Sequence, residues 1–242
     1  MFFTNGVPYT NTFFRADDSY CSNCHEGQLD QYTNFENLKR SERQNTDYRI
    51  HYRIGCSGIA ILGIHGGEIE PGTMRISDAI AGQEHSFYAF EGIKSRGNQS
   101  LHITSARFDE PIAMEIVCVS EIIISIHGCT GMEPMIFLGG LDVELKQQIL
   151  QELQKSGFQT TECSESRFGG IDYSNICNLC GRGMGVQIEI SRGLRTLMFR
   201  DLTPEGRRYP TEVFTRFTQA IRNAIDLFAL IYFETHPLEG TD

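Results

Sequence analysis

The sequence predicts an α/β domain of three layers, with helices on both faces of a central sheet. Two observations predict this class. Nearly continuous apolar runs, typical of buried strands, cover residues 58–64 and 122–126. Segments with apolar residues at helical spacing lie between and after these runs. A chain of 242 residues is long enough for one such domain. We therefore expect residues 31–242 to form it, after an irregular polar arm at residues 1–30.

Each element is predicted from its local pattern. Strands are expected at residues 48–53, 58–64, 86–90, 101–104, 122–126 and 186–191. Helices are expected at residues 34–41, 75–81 and 111–119, in a segment that Asp142 begins and Gly157 ends, and in a long last helix after Thr211. Asp142 and Thr211 fit the N-cap position because their side-chain oxygens can accept an N–H of the first turn. Gly157 fits the left-handed conformation that often ends a helix.

The charge balance and the apolar runs argue against two classes of partner. The chain has 31 acidic and 21 basic residues, a formal net charge of −10, and no basic stripe that would displace counterions from nucleic acid. Its start lacks the basic and apolar regions of a signal peptide. The apolar run at residues 225–233 is too short to span a bilayer. We therefore expect a soluble monomer made in the cytoplasm, with no nucleic-acid or membrane partner.

The segments around His65 and His127 predict a metal site. Both histidines follow an apolar strand and precede a glycine, and open α/β sheets place ligands at such strand ends. Glu68 follows His65 by three residues, and Gly66 and Gly67 between them let the backbone fold back. His65, Glu68 and His127 would supply the two histidines and one carboxylate that many catalytic zinc sites use. The alternatives are a solvated His–Glu pair and a hydrogen-bonded core histidine.

Glu189 lies in an alternating strand at residues 186–191. A carboxylate is costly to bury there unless it is paired or chemically used, so Glu189 could be a general base that takes a proton from the attacking water. The alternative is an edge strand whose polar face is exposed to solvent. Arg192 and Arg195 could bind substrate carboxylates, unless they are ordinary surface charges. His102 could contact substrate or orient a metal ligand, unless it is only a packed strand residue.

The eight cysteines leave several possibilities open. Cys21 with Cys24, and Cys177 with Cys180, have the CxxC spacing that could hold a second, structural zinc ion or form disulfides. The two pairs lie much farther apart in the chain than the pairs of compact zinc modules. Reduced thiols are therefore the first expectation.

Several longer segments follow one another in an order that points to a known family. They include YTNFENL at residues 32–38, HGGEIEPGT at 65–73, SFYAFEG at 86–92, LHITS at 101–105 and VQIEISRGLR at 186–195. In these segments the chain resembles the phage-type poly-γ-glutamate hydrolases, zinc peptidases related in architecture to the metallocarboxypeptidases. The resemblance implies a mixed central sheet, one catalytic zinc ion on His65, Glu68 and His127, and Glu189 as the catalytic carboxylate.

The resemblance also implies the substrate, the γ-glutamyl amide bonds of poly-γ-glutamate. A phage enzyme of this kind would meet that polymer outside the cell after lysis. Because the net charge of −10 would repel a polyanion, local arginines must override it in the cleft. The alternative enzyme is a zinc carboxypeptidase or amidase that acts on cell-wall or ordinary peptides. An alternative of another class is a catalytically inactive metal-binding or structural protein.

Overall fold

A mixed sheet forms the middle layer of the protein. The computed structural model describes residues 30–163 and 169–236, and within these ranges seven strands form one sheet. The strands are β1 (Tyr48–Arg53), β2 (Ile59–Gly67), β3 (Ser86–Gly92), β4 (Ile122–Cys129), β5 (Ile136–Gly139), β6 (Thr160–Glu162) and β7 (Val186–Ser191). The α-helices are α1 (Phe35–Lys39), α2 (Thr73–Ala81), α3 (Pro111–Cys118), α4 (Val143–Lys155), α5 (Arg192–Met198) and α6 (Glu212–Thr235).

The order of the strands opens a crevice at one edge of the sheet. Across the sheet the order is β1-β3-β2-β4-β7-β5-β6. β3, β2, β4 and β7 run parallel to one another, whereas β1 and β5 are antiparallel to their neighbours β3 and β7. The chain passes from β2 through α2 to β3, and then through α3 back to β4 on the other side of β2. The strand order therefore reverses between β2 and β4, and ligand crevices of open α/β sheets form at the carboxyl ends of such a pair.

Helices cover both faces of the sheet, so the predicted three-layer fold with a mixed sheet is confirmed. One apolar cluster joins one face to α2, α4, α5 and α6, and it contains Ile61 and Ile124. A second cluster joins the opposite face to α1 and α3, and it contains Leu62 and Ile123. Neighbouring residues enter opposite clusters because strand side chains alternate between the two faces. The apolar runs at β2 and β4 are nearly continuous because both faces are buried.

The predicted helices are confirmed, with their ends shifted by a few residues. Asp142 begins α4 as predicted, and its side chain accepts a hydrogen bond from the N–H of Leu145 at 3.0 Å. Gly157 follows α4 in the left-handed conformation, with φ of 79°. Thr211 precedes α6, but its hydroxyl donates to the carbonyl of Leu197 at 2.7 Å and makes no capping bond.

The predicted strand at residues 101–104 is wrong. The segment lies between two 3₁₀ turns, Asn98–Leu101 and Ser105–Arg107. Its apolar side chains are buried, as the alternating pattern indicates. Its backbone, however, pairs with no strand of the described sheet: the carbonyl of Ile103 accepts from the ring of His65, and the N–H of His102 donates to the carbonyl of Gln99. The alternating pattern here indicates buried side chains but not a strand paired in the sheet.

Sequence analysis missed β5, β6 and α5. β5 and β6 have four and three residues, too few for a clear periodic pattern. α5 begins immediately after β7, because Ser191 ends the strand and also caps the helix by accepting the N–H of Leu194 at 3.2 Å. As a result, Arg192 and Arg195 lie on a helix.

The described helices do not include a membrane span. α6 is the longest of them, but charged and polar residues recur along it. A span needs about 20 predominantly apolar residues.

Candidate metal centre

A cleft opens at the carboxyl ends of β2, β4 and β7, where the strand order reverses. Its volume is about 570 Å³. Residues from the loop after β2, the end of β4, the start of α5 and the segment after α5 line it, and they include Glu70, His102, Gly128, Arg192 and Arg195. Sites of chemistry in open α/β folds lie at this edge of the sheet, so convergent polar groups are expected in this cleft.

Three side chains bring their ligand atoms together beside this cleft: Glu70, which lines it, and the buried His65 and His127. The Nδ1 atoms of His65 and His127 lie 3.2 Å apart. One carboxylate oxygen of Glu70 lies 3.0 Å from Nδ1 of His65, and the other lies 3.8 Å from Nδ1 of His127. The ligand atoms of all three residues fall within 4.8 Å of one another, a group that could bind a metal ion. The set of two histidines and one carboxylate is typical of catalytic zinc sites.

The hydrogen bonds on the far sides of the two rings fit a metal ligand role. Nε2 of His65 lies 2.9 Å from the carbonyl oxygen of Ile103, which can only accept, so Nε2 carries the hydrogen. Nδ1 of His65 faces Glu70 and His127, and in the neutral ring it presents a lone pair to them. Nε2 of His127 is bonded to the hydroxyl of Ser125 at 2.8 Å. Lone pairs and a carboxylate that face one another repel unless a cation or a proton lies between them, and outer hydrogen bonds of this kind hold metal-binding histidines in place.

The charges of the three residues agree with this interpretation. Burial alone would raise the pKa of Glu70, but the adjacent histidines hold it at about 2, so the carboxylate is ionised. Burial lowers the pKa of His127 to about 3, so this ring is neutral. Burial also acts to lower the pKa of His65, but the charge and hydrogen bond of Glu70 raise it above its usual value. The ionised Glu70 carboxylate and the neutral His127 ring are thus in the form that a divalent cation requires, and a cation bound here would displace a proton from His65.

Glu68, which sequence analysis predicted as the third ligand, lies outside this group of three residues. The carboxylate of Glu68 forms an ion pair with Arg207. Glu70 lies beside the two histidines because the chain turns sharply after β2: Gly67 has a φ of 66°, and the N–H of Glu70 donates to the carbonyl of His65 at 2.9 Å. This turn brings the side chain five residues after His65 back over its ring. The carboxylate of Glu70 also accepts the N–H of Gly128 at 2.7 Å, which ties the turn to β4.

Glu189 lies beside His127 on the neighbouring strand. The two residues are paired in the register of β4 and β7, so their side chains leave the same face of the sheet. Glu189 is 7% exposed and accepts a hydrogen bond from the amide of Gln187 at 3.1 Å. Burial, and then the negative charge of Glu70, raise its pKa well above the usual range, whereas Arg195 acts to lower it. A cation held by Glu70 would favour the ionised form, because opposite charge lowers a carboxyl pKa.

The two arginines after β7 have different environments. Arg195 is buried, and its guanidinium donates to the backbone carbonyls of Ile190, Pro71 and Cys129 at 3.0, 2.7 and 2.9 Å. It therefore ties together the ends of β7 and β4 and the loop after β2. Arg192 is exposed at the rim of the same cleft. Arg192 is therefore better placed than Arg195 to bind substrate, because the N–H donors of Arg195 already have protein partners.

His102 lies next to the candidate ligands, although not in a strand. Its ring centroid is 4.0 Å from that of His65, and the ring lines the cleft. Nδ1 of His102 is 2.7 Å from a carboxylate oxygen of Asp30, a residue that sequence analysis placed in the irregular arm. No motif marked Asp30, because its partners lie more than seventy residues away in the chain.

Only two of the four cysteines of the predicted site lie within the described residues. Cys21 and Cys24 lie outside the described residues, as do residues 1–29 as a whole. Cys177 and Cys180 are buried, and neither forms a disulfide within the described residues. The thiol of Cys180 donates to the carbonyl of Met184 at 3.2 Å. Burial raises the pKa of both thiols, which favours the protonated state.

The fold and the cleft define an α/β protein with a candidate metal centre at the carboxyl ends of its parallel strands. The model of the poly-gamma-glutamate hydrolase family matches residues 32–220, and the chain belongs to this family. UPF0714 protein YndL of Bacillus subtilis (strain 168) is 38% identical over 197 residues, which cover 78% of this chain and 77% of that protein.

Two solved structures have the same fold over most of the chain. A bacteriophage poly-gamma-glutamate hydrolase has a TM-score of 0.81 and 30% identity, and the match covers 84% of this chain and 100% of that one. A zinc-free structure of YndL has a TM-score of 0.79 and 35% identity, and the match covers 82% of this chain and 98% of that one. The family is one of hydrolases, and both structures share sequence identity as well as the fold with this chain.

Proposed function

We propose that the protein is a zinc-dependent hydrolase that cleaves the γ-glutamyl amide bonds of poly-γ-glutamate. The observation that carries the proposal is the convergence of His65, Glu70 and His127 at the strand ends of a chain in this family. Their outer hydrogen bonds and protonation states suit a divalent cation. The cleft beside them has room for a segment of a polymer.

In this proposal His65, Glu70 and His127 would hold the zinc ion, which would supply Lewis-acid chemistry for the scissile carbonyl and the attacking water. Glu189 is the general base: it accepts a proton from the attacking water and returns it to the leaving amine. Gln187 holds the Glu189 carboxylate at 3.1 Å, and Asn175 in turn donates to the Gln187 carbonyl oxygen at 2.9 Å. This chain of amides leaves the Gln187 NH₂ group facing Glu189, so the base has a fixed orientation.

The substrate and the metal can be tested together. The protein loaded with one zinc ion should hydrolyse poly-γ-glutamate, a chelator should abolish the activity, and added zinc should restore it. Poly-α-glutamate is the matched control, because it has the same charge per residue and differs in the linkage. Equal cleavage of the α-linked polymer or of cell-wall peptides would favour a broader peptidase or amidase. A chain that binds zinc but cleaves none of these substrates would be an inactive metal-binding protein.

Arg192 is the residue best placed to attract a polyanion to the cleft. The chain has a net charge of −10, so an exposed cation at the rim must offset repulsion locally. Arg192→Ala should raise the KM for poly-γ-glutamate by about three- to tenfold at low salt, and less at high salt, because ions screen exposed charges. Arg40→Ala is the control: it removes the same charge from an exposed side chain outside the cleft. Equal KM values for the two variants would remove Arg192 from the substrate path.

A further inference from the structure

Asp30, which neither the sequence patterns nor the proposed chemistry singles out, binds the short segment of residues 102–107. Its carboxylate accepts hydrogen bonds from Nδ1 of His102 at 2.7 Å, the backbone N–H of Thr104 at 2.8 Å and the guanidinium of Arg107 at 2.9 Å. The Asp30 side chain is 8% exposed. Although burial acts to raise its pKa, these partners hold the pKa of Asp30 below its usual value. Asp30 is thus an ionised carboxylate that fixes residues 102–107.

Residues 102–107 in turn supply the outer hydrogen bond of His65 and a longer contact to His127, whose shorter outer bond is to Ser125. The carbonyl of Ile103 accepts from Nε2 of His65 at 2.9 Å, and the hydroxyl of Ser105 lies 3.5 Å from Nε2 of His127. The ring of His102 packs against that of His65. The segment belongs to no strand of the described sheet. Backbone bonds of the two 3₁₀ turns and the burial of Ile103 help to hold it, and the bonds to Asp30 join it to a distant part of the chain.

We propose that Asp30 is a positioning residue for the metal centre: it holds residues 102–107 so that the Ile103 carbonyl keeps His65 in the tautomer that presents Nδ1 to the metal. The proposal rests on the proposed function, because it requires His65 to be a ligand. Asp30 precedes residue 32, where the match to the family begins. Removal of outer partners of this kind typically costs 10- to 100-fold in metal affinity.

The test measures zinc affinity by competition with a chelator in the full chain. Asp30→Ala should weaken zinc binding by about 10- to 100-fold, and Asp30→Asn, which keeps one acceptor oxygen for Thr104, should weaken it less. Asp109→Asn is the matched control, because Asp109 accepts the backbone N–H of Phe35 at 2.7 Å and has no hydrogen bond to residues 102–107 among the described contacts. The variant should keep the wild-type affinity.

A second readout separates positioning from general stability. ¹⁵N NMR of the zinc-free protein should show His65 with its hydrogen on Nε2 in the wild type and in Asp109→Asn, and a mixture of tautomers in Asp30→Ala. A wild type that binds zinc, with unchanged affinity and tautomer in both Asp30 variants, would overturn this inference alone. A wild type that binds no zinc would overturn the proposed function and this inference with it.

Discussion

Replacing Glu189 with Gln should leave zinc binding intact and lower the rate of poly-γ-glutamate hydrolysis by about 10²- to 10⁴-fold, the usual contribution of a general base. Gln has nearly the same shape as Glu but does not accept a proton. Glu189 lies in register with His127 and is held by Gln187, so the variant side chain fits the same site. The loss should appear in kcat more than in KM, because proton transfer occurs in the chemical step.

The control for this change is Glu115→Gln, which alters an exposed carboxylate on α3. It should keep both zinc and full activity. The zinc content of each variant is measured beside its turnover. A Glu189→Gln protein that cleaves the polymer at nearly the wild-type rate would rule out Glu189 as the base, and one that loses zinc would make Glu189 a ligand.

Replacing Glu70 with Gln should remove zinc and, with it, activity. An amide is a much weaker ligand than a carboxylate, and it has no charge to balance a divalent cation. Glu70→Gln also keeps an oxygen that can accept the N–H of Gly128, so the turn after β2 should persist. Glu68→Gln changes a carboxylate two residues away that pairs with Arg207, and it should therefore keep zinc.

Much of this arrangement could be predicted from the sequence. The apolar runs before His65 and His127 identify two buried strands, and parallel strands end at the same edge of a sheet. The pattern therefore predicts that the two histidines lie at the same edge, and the pairing of β2 with β4 makes them neighbours. The alternation of residues 186–191 identifies a third strand and places Glu189 on its polar face, and pairing with β4 then brings it beside His127.

The third candidate ligand could not be read from spacing. Glu68 and Glu70 both follow His65 closely, and a choice between them depends on how the backbone turns after Gly67. The hydrogen bond from the Glu70 N–H to the His65 carbonyl closes a turn that no periodic pattern reports. Asp30 was missed for a related reason, since its bonds to His102 and Thr104 join parts of the chain that only the fold brings together.

Arg195 shows the same limit for a basic residue. The sequence indicates a positive charge near the carboxyl ends of the strands, and the structure places Arg195 there, in the lining of the cleft. It does not indicate that three backbone carbonyls already occupy the guanidinium. Burial and partners, which depend on tertiary contacts, decide between a substrate-binding arginine and one that holds strand ends together.

The most direct test of the central claim is the zinc content of the purified wild type, Glu70→Gln and Glu68→Gln, measured as zinc ions per chain by elemental analysis after dialysis against metal-free buffer. If His65, Glu70 and His127 hold the metal, the wild type and Glu68→Gln should each retain about one zinc ion per chain, and Glu70→Gln should retain almost none while its circular dichroism spectrum stays that of the folded protein. Full retention of zinc in Glu70→Gln, or its loss in Glu68→Gln, would contradict this assignment.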